Sequence, residues 1–331
     1  MRIAYVLLDP GIGVFGTKGA SVHVQEVVRA FRALGHEVSV FCTRTDEDVP
    51  PDLTDLDVTR LEVPRGLDRS QREIALLRLS DMLADLVTDT VAASGKGFDL
   101  VYERYSLFST AGARISDRLG VPLIMEVNAP LLDEQRKHRG LVHSEHAARA
   151  TVGSFTAATR IVCVSELVAD WVRRDYPGLV DVSVVPNGVN TDRITPRAAP
   201  TGRGTGPGDL RRSNDRLGEG DSVPAVRIGF VGTPKPWHGT HRLIAACAGL
   251  SGDFRLDIVG HGPEEEALEE QARALGLGRR VCFHGAVAPE TVPRKLRGFD
   301  IAVAPYPVGD NYFSPLKIYE YLAAGLPVVA S

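Results

Sequence analysis

The 331-residue chain predicts an α/β protein of two doubly wound domains, each a parallel sheet covered by helices on both faces. Three observations carry this. Short runs rich in Val and Ile alternate with helical patterns along nearly the whole chain. The alternation breaks once, over 195–225, where large apolar residues almost vanish. The length also exceeds that of one ordinary domain.

The first strand is read over 2–8, an apolar run closed by Asp9 and Pro10. Further strands are expected at 38–43, 99–102, 122–126, 160–165 and 182–186, with helices over 20–34, 71–91, 109–119 and 166–174. The strand runs are continuously apolar, which means burial on both faces. Together they make a first domain over 1–194. Residues 195–225, rich in Gly, Pro, Arg and Asp, bury too little surface to order themselves and are expected to form a flexible linker or insertion. The second domain, 226–331, places strands at 226–232, 255–260, 281–284, 301–305 and 328–331, and helices at 239–250, 263–275, 288–297 and 315–324.

Hydrophobic residues make up 44% and charged residues 24%, the values of an ordinary globular chain. A net charge of −4 argues against broad nucleic-acid binding, which favours a basic surface. Cys42, Cys163, Cys247 and Cys282 stand far apart in apolar runs and read as buried free thiols. The apolar run at the start is too short for a signal-peptide core or a membrane span, so a cytoplasmic location is expected.

The most informative stretch is 312–331, YFSPLKIYEYLAAGLPVVAS. Ser314 suits a helix N-cap and Pro315 the first helical position, while Gly325 and Pro327 end the helix. Glu320 shares a helical face with Leu316, Ala323 and Ala324. A carboxylate there is costly unless hydrogen-bonded, and a ribose diol supplies two donors. A structural carboxylate is the plainer alternative.

This stretch resembles the donor-site motif of the retaining GT-B glycosyltransferases of family 4, in the SPLK-x-x-EYLA-x-G-x-PVVAS form of one branch. The resemblance implies two Rossmann-like domains facing a cleft, with the second domain incomplete at its C-terminus. It also assigns roles along the chain. In the loop DPGIGVFGTKGAS, Gly19 would approach donor phosphates at a helix N-terminus. Ala33-Leu34-Gly35-His36-Glu37-Val38 matches a family turn, with His36 read as structural. Asn128, in EVNAP, stands where many members carry a sugar-contacting histidine. Glu126 and Glu103 would position the acceptor hydroxyl or take its proton, an ion pair with Arg104 being the other reading of Glu103. The basic run Arg136-Lys137-His138-Arg139 reads as a solvated charge cluster, or as a contact to an anionic acceptor or membrane surface. Val185-Pro186-Asn187-Gly188-Val189-Asn190 matches an interdomain turn.

In the second domain the implied donor site runs through Gly232, Lys235, His238 and Gly262. Lys235 is the first candidate for gripping the leaving diphosphate and His238 the second. Ser314, Leu316 and Lys317 stand at the start of the last helix, where backbone N–H groups and the lysine would hold the diphosphate, and Glu320 would hold the ribose. Family members often carry a second glutamate eight residues earlier; here that position is Tyr312.

The implied activity is transfer of a hexose from a nucleotide-diphosphate sugar to an acceptor hydroxyl with retention of configuration. The acceptor would be a glycan, a lipid or a small-molecule aglycone, with no permanently bound cofactor, no metal site, no nucleic acid, and peripheral contact with the inner face of the membrane open. A catalytically inactive glycosyltransferase-like binding protein is the alternative that a shortened second domain implies.

Overall fold

The computed structural model describes residues 1–179, 181–197, 225–307 and 314–331. Most of the expected linker, together with Tyr312, lies outside the described residues, as do the side chains of His138 and Arg139. The described chain falls into two compact units. The first is Met1–Gly188 with Ser314 and Pro315, and the second is the remaining described residues from Val189 on.

In the first unit β1 (Arg2–Leu7) leads to α1 (Gly19–Ala33), β2 (Glu37–Cys42) and β3 (Asp57–Arg60). Then come α2 (Arg69–Ser94), β4 (Leu100–Arg104), α3 (Ala111–Leu119) and β5 (Leu123–Val127). The unit continues with α4 (Leu131–Glu134), α5 (Ser144–Ala157), β6 (Arg160–Cys163), α6 (Glu166–Asp175) and β7 (Val182–Val184). Its seven strands are all parallel, in the order β3-β2-β1-β4-β5-β6-β7. Two apolar layers flank the sheet. Val24 and Val28 of α1 pack with Ile3, Tyr5 and Val40, while Leu79, Leu83 and Val87 of α2 pack with Val6, Val101 and Ile115.

Local signals set the helix ends. Asp68 and Gln71 form a reciprocal capping box at the start of α2, and Gly95 ends it in the left-handed conformation. Three elements escape the sequence reading. Strand β3 is short and polar, α4 is only four residues long, and α5 is rich in small residues with little apolar periodicity.

The second unit contains β8 (Val226–Val231), α7 (Thr240–Cys247), β9 (Phe254–Val259) and α8 (Glu265–Ala274). It ends with β10 (Val281–Phe283), α9 (Val292–Leu296), β11 (Ile301–Ala304), α10 (Leu316–Ala323) and β12 (Val328–Ala330). Its five strands are parallel in the order β10-β9-β8-β11-β12. In each sheet the strand order reverses beside its first strand, between β1 and β4 and between β8 and β11. Ligands of open α/β sheets bind beyond the strand C-termini at such points.

Candidate active site

Each unit gathers unusual polar side chains at its own reversal point. In the second unit β8 is followed by Gly232, whose φ of 144° is open to glycine and strained for other residues. The loops after β8 and β9 touch backbone to backbone there. A Cβ on Gly260 would stand 2.2 Å from the Gly232 carbonyl oxygen, and one on Gly262 2.3 Å from that of Pro234.

Beneath Gly232 lies the ammonium of Lys317, in the first turn of α10 and only 8% exposed. Its Nζ stands 4.5 Å from the ring centroid of Phe230 and 4.9 Å from that of Tyr306. Among the described residues it has no hydrogen-bond partner. Burial pushes its pKa down to about 7, against the opposing pull of the Glu320 carboxylate. Lys317, Tyr321 and Ala324 are the buried face of this helical segment, and Glu320 lies half-buried beside it. Of the expected Leu316–Glu320–Ala323–Ala324 face only Ala324 is buried, and the inward side is turned toward Lys317 and Tyr321, because the Tyr321 hydroxyl accepts the Val231 N–H at 2.8 Å and anchors the helix there.

The other expected donor-site residues are placed as follows. Lys235 Nζ lies over the Trp237 ring at 4.9 Å. His238 Nδ1 is 2.6 Å from the Thr233 carbonyl oxygen. Burial and the nearby Lys317 charge push the His238 pKa down to about 4, so the ring is neutral. A neutral ring donating through Nδ1 keeps Nε2 as an acceptor, suited to a sugar hydroxyl rather than a phosphate. Leu316 opens α10. The Ser314 hydroxyl accepts the Asn187 N–H at 3.0 Å, and its carbonyl accepts Asn187 Nδ2 at 2.8 Å, so the Asn187-Gly188 turn is fastened to Ser314.

In the first unit Gly19 opens α1, and Gln25 pins the preceding loop through the carbonyls of Val14 and Gly16, each at 3.0 Å. Glu126 sits near the end of β5 and is 3% exposed. Its Oε1 pairs with His23 Nε2 from α1. Its Oε2 faces Arg104 Nη1, from the neighbouring β4, at 3.7 Å. Burial raises the Glu126 pKa, but His23 and Arg104 outweigh it and hold the carboxyl below its usual range. Asn128, half-buried just past β5, approaches the same carboxylate, yet its Nδ2 has no partner of ordinary hydrogen-bond geometry.

Glu103 is separate. It is fully buried, and it accepts hydrogen bonds from Ser109 Oγ and from the Gly112 N–H at 3.0 Å. Burial lifts its pKa to about 7 against these two bonds. It thereby ties β4 to the start of α3. Arg136 donates to Ser144 Oγ at 2.9 and 3.1 Å.

His23 was absent from the sequence reading. Its place on a buried helix face beside Val24 and Val28 was readable, but its partner 103 residues away was not. Among the described residues one group has metal-ligand spacing: Asp257, Cys282 and His284. Asp257 is already held by Arg227 at 2.8 Å, Arg255 at 3.2 Å and His284 at 2.6 Å, and Lys295 stands 3.0 Å from His284. Two guanidinium groups on the carboxylate, with the Lys295 ammonium just beyond on His284, suit a divalent ion poorly.

Comparison with known proteins places these features. The model described as Glycosyltransferase Family 4 matches residues 17–193, and that described as Glycosyl transferases group 1 matches 225–331. The D-inositol 3-phosphate glycosyltransferase of Acidothermus cellulolyticus is 27% identical, over 97% of this chain and 72% of its own length. That of Xylanimonas cellulosilytica is 28% identical, over 98% and 77%. Sucrose-phosphate synthase from Thermosynechococcus elongatus aligns with a TM-score of 0.69 at 20% identity, over 100% of this chain and 81% of its own. Anabaena HepE in complex with UDP aligns at 0.66 and 20% identity, over 100% and 80%. The fold of the two units is that of GT-B glycosyltransferases.

Proposed function

As the chain belongs to glycosyltransferase family 4, we propose that it transfers a hexose from a nucleoside-diphosphate sugar to an acceptor hydroxyl with retention of configuration. The observation that carries this is Lys317. A buried ammonium without a hydrogen bond is unfavourable by itself. At the end of β8, under a glycine that brings backbone close to any ligand, it is a preplaced positive charge for a diphosphate. The N–H groups at the start of α10 add to the same field. HepE is known bound to UDP and to UDP-glucose, which supports a uridine nucleotide as the first donor to try.

On this reading Lys317 and Lys235 stabilise charge on the leaving diphosphate, and Leu316 and Ser314 line the helix start. Gly19, Gly232 and Gly262 allow close approach of the backbone, Glu320 accepts from the ribose diol, and His238 accepts from a sugar hydroxyl. The bond from the anomeric carbon to the phosphate oxygen breaks as the acceptor oxygen bonds to that carbon on the same face. The acceptor proton passes to the departing phosphate oxygen. Glu126 and Asn128 serve the sugar and acceptor hydroxyls, and Glu103 supports them from behind by fixing β4. Two relatives named for an inositol phosphate acceptor point to a polyol acceptor. No helix among the described residues is long and apolar enough to cross a membrane.

The test is calorimetric titration with UDP, GDP, ADP and dTDP of the parent chain and of the Lys317→Met, Lys235→Ala and Glu320→Ala variants. One nucleotide should bind the parent and bind at least tenfold more weakly to each variant. A folded parent that binds none of the four defeats the reading.

A further inference from the structure

Trp237 stands half exposed, at 51%, in the loop between β8 and α7. Its ring carries a charge: the Lys235 ammonium lies 4.9 Å from its centroid. The local sequence builds this contact. Lys235 precedes Pro236, and the proline ring excludes the helical conformation from the residue before it. Lys235 is accordingly extended, with φ −134° and ψ 155°. Pro236 then opens a single 3-10 turn, Pro236–His238, in which the His238 N–H donates to the Lys235 carbonyl at 2.8 Å. An extended residue running straight into a tight turn folds the side chains of 235 and 237 onto each other.

The ring is mounted rigidly and the lysine is not. His238 Nδ1 is 2.6 Å from the Thr233 carbonyl oxygen, and the His238 ring stands edge-on to Tyr306 and to Trp237, each at 6.2 Å. Gly239 adopts φ 66°, and a Cβ there would lie 1.8 Å from the Pro305 carbonyl oxygen, so the loop rests directly on the backbone that follows β11. Lys235 has a long flexible stem, which loses freedom when its ammonium grips a phosphate. A contact that orders the stem beforehand lowers that loss. An indole face attracts the cation without taking its N–H donors, which stay available to a ligand. The two ammoniums at this end of the sheet are thus seated differently. Lys317 is enclosed between Phe230 and Tyr306, and Lys235 rests on a single half-exposed ring.

We infer that Trp237 is a positioning residue: its indole seats the Lys235 ammonium before the nucleotide arrives, and the ring itself takes no part of the nucleotide. This rests on the reading of Lys235 as a partner of the diphosphate and adds to it the residue that orders the lysine.

A double-mutant cycle tests the seat. UDP affinity is measured by calorimetry for the parent, Trp237→Leu, Trp237→Phe, Lys235→Ala and the double variant Lys235→Ala with Trp237→Leu. Uridine binding is followed by ligand-observed NMR. Trp237→Leu should weaken UDP about two- to fivefold, the factor that an exposed cation–π contact supplies. Trp237→Phe, which keeps an aromatic face, should retain most of the parent affinity. Once Lys235 is alanine, Trp237→Leu should cause no further loss. Uridine, which has no phosphate, should bind the parent and Trp237→Leu alike. Additive losses overturn the inference, as does a Trp237→Leu variant that binds UDP as the parent does. A parallel loss of uridine also overturns it, because that puts the ring against the nucleoside.

Fluorescence gives a readout that needs no nucleotide. The chain has two tryptophans, so the difference between parent and Trp237→Phe spectra isolates Trp237 from the buried Trp171. Lys235→Met removes the cation from the indole face and should change the Trp237 emission of the ligand-free protein. Unchanged emission means that the lysine does not rest on the ring, and the inference falls. A parent that binds none of the nucleotides but shows this change defeats the donor reading and leaves the seat standing.

Discussion

Replacing Lys317 with methionine removes a charge while keeping a side chain of similar length and apolar body. The drop in its pKa from 10.5 to about 7 corresponds to about 5 kcal/mol against the charged form in the folded protein. The Phe230 and Tyr306 rings return about 1–2 kcal/mol each through cation–π attraction. The net expectation is a variant more stable than the parent by about 1–3 kcal/mol. The sign with pH follows from the direction. The folded pKa lies below the unfolded one, so the folded parent binds fewer protons between about 7 and 10.5 and gains stability as pH rises through that window. The advantage of the variant is therefore larger at pH 6 than at pH 9. Urea unfolding at both values measures it, and UDP titration of the same samples should show at least tenfold weaker binding. A variant less stable than the parent at both pH values refutes the argument that the ammonium is held at a cost. Unaltered UDP affinity refutes its role as anion partner.

Three other changes test the framework. Glu103, raised from 4.5 to about 7, stabilises the fold fully only below about 4.5, and this contribution, about 3 kcal/mol, is lost as pH rises through 7. Glu103→Gln should flatten that part of the thermal-stability profile between pH 4.5 and 8; an unchanged slope contradicts the assignment. Tyr321→Phe leaves the buried Val231 N–H without its partner and should cost about 1–3 kcal/mol in denaturant unfolding, with m unchanged. In Gly229→Ala the new Cβ would fall 2.0 Å from a carbon of the buried Phe299 ring and should destabilise by about 1–3 kcal/mol or more, largely recovered by Phe299→Leu; no recovery would mean that backbone strain, not crowding, is the cause.

The parallel strands were legible because their pattern is local: an unbroken Val/Ile run has nowhere to sit except between two helical layers. Thus β1 and β8 begin and end within a residue or two of the positions expected for them. Helix α5 was missed because its Ala, Thr, Ser and Gly residues make a weak stripe, and only packing under Phe108 and Leu132 commits it. The site divides in the same way. Glu126 and Asn128 were found from their place after a strand, and Gly232 and Gly262 from their place in loops. His23 and Arg104 acquire meaning only from partners on other elements.

Residue spacing alone determined the order of most strands and helices, though not β3, α4 or α5, together with the positions of the loops that follow the strands and which residues of the last helix share a face. It favoured the Leu316–Glu320 side as the inward one, although the Lys317–Tyr321 side equally mixes apolar and charged groups. The tertiary structure decided it. The Val231 N–H captures Tyr321, two aromatic rings and Gly232 close around Lys317, and a lysine becomes the buried charge where a glutamate was expected. Burial and electrostatic environment are set by elements far apart in the chain, and no local pattern encodes them.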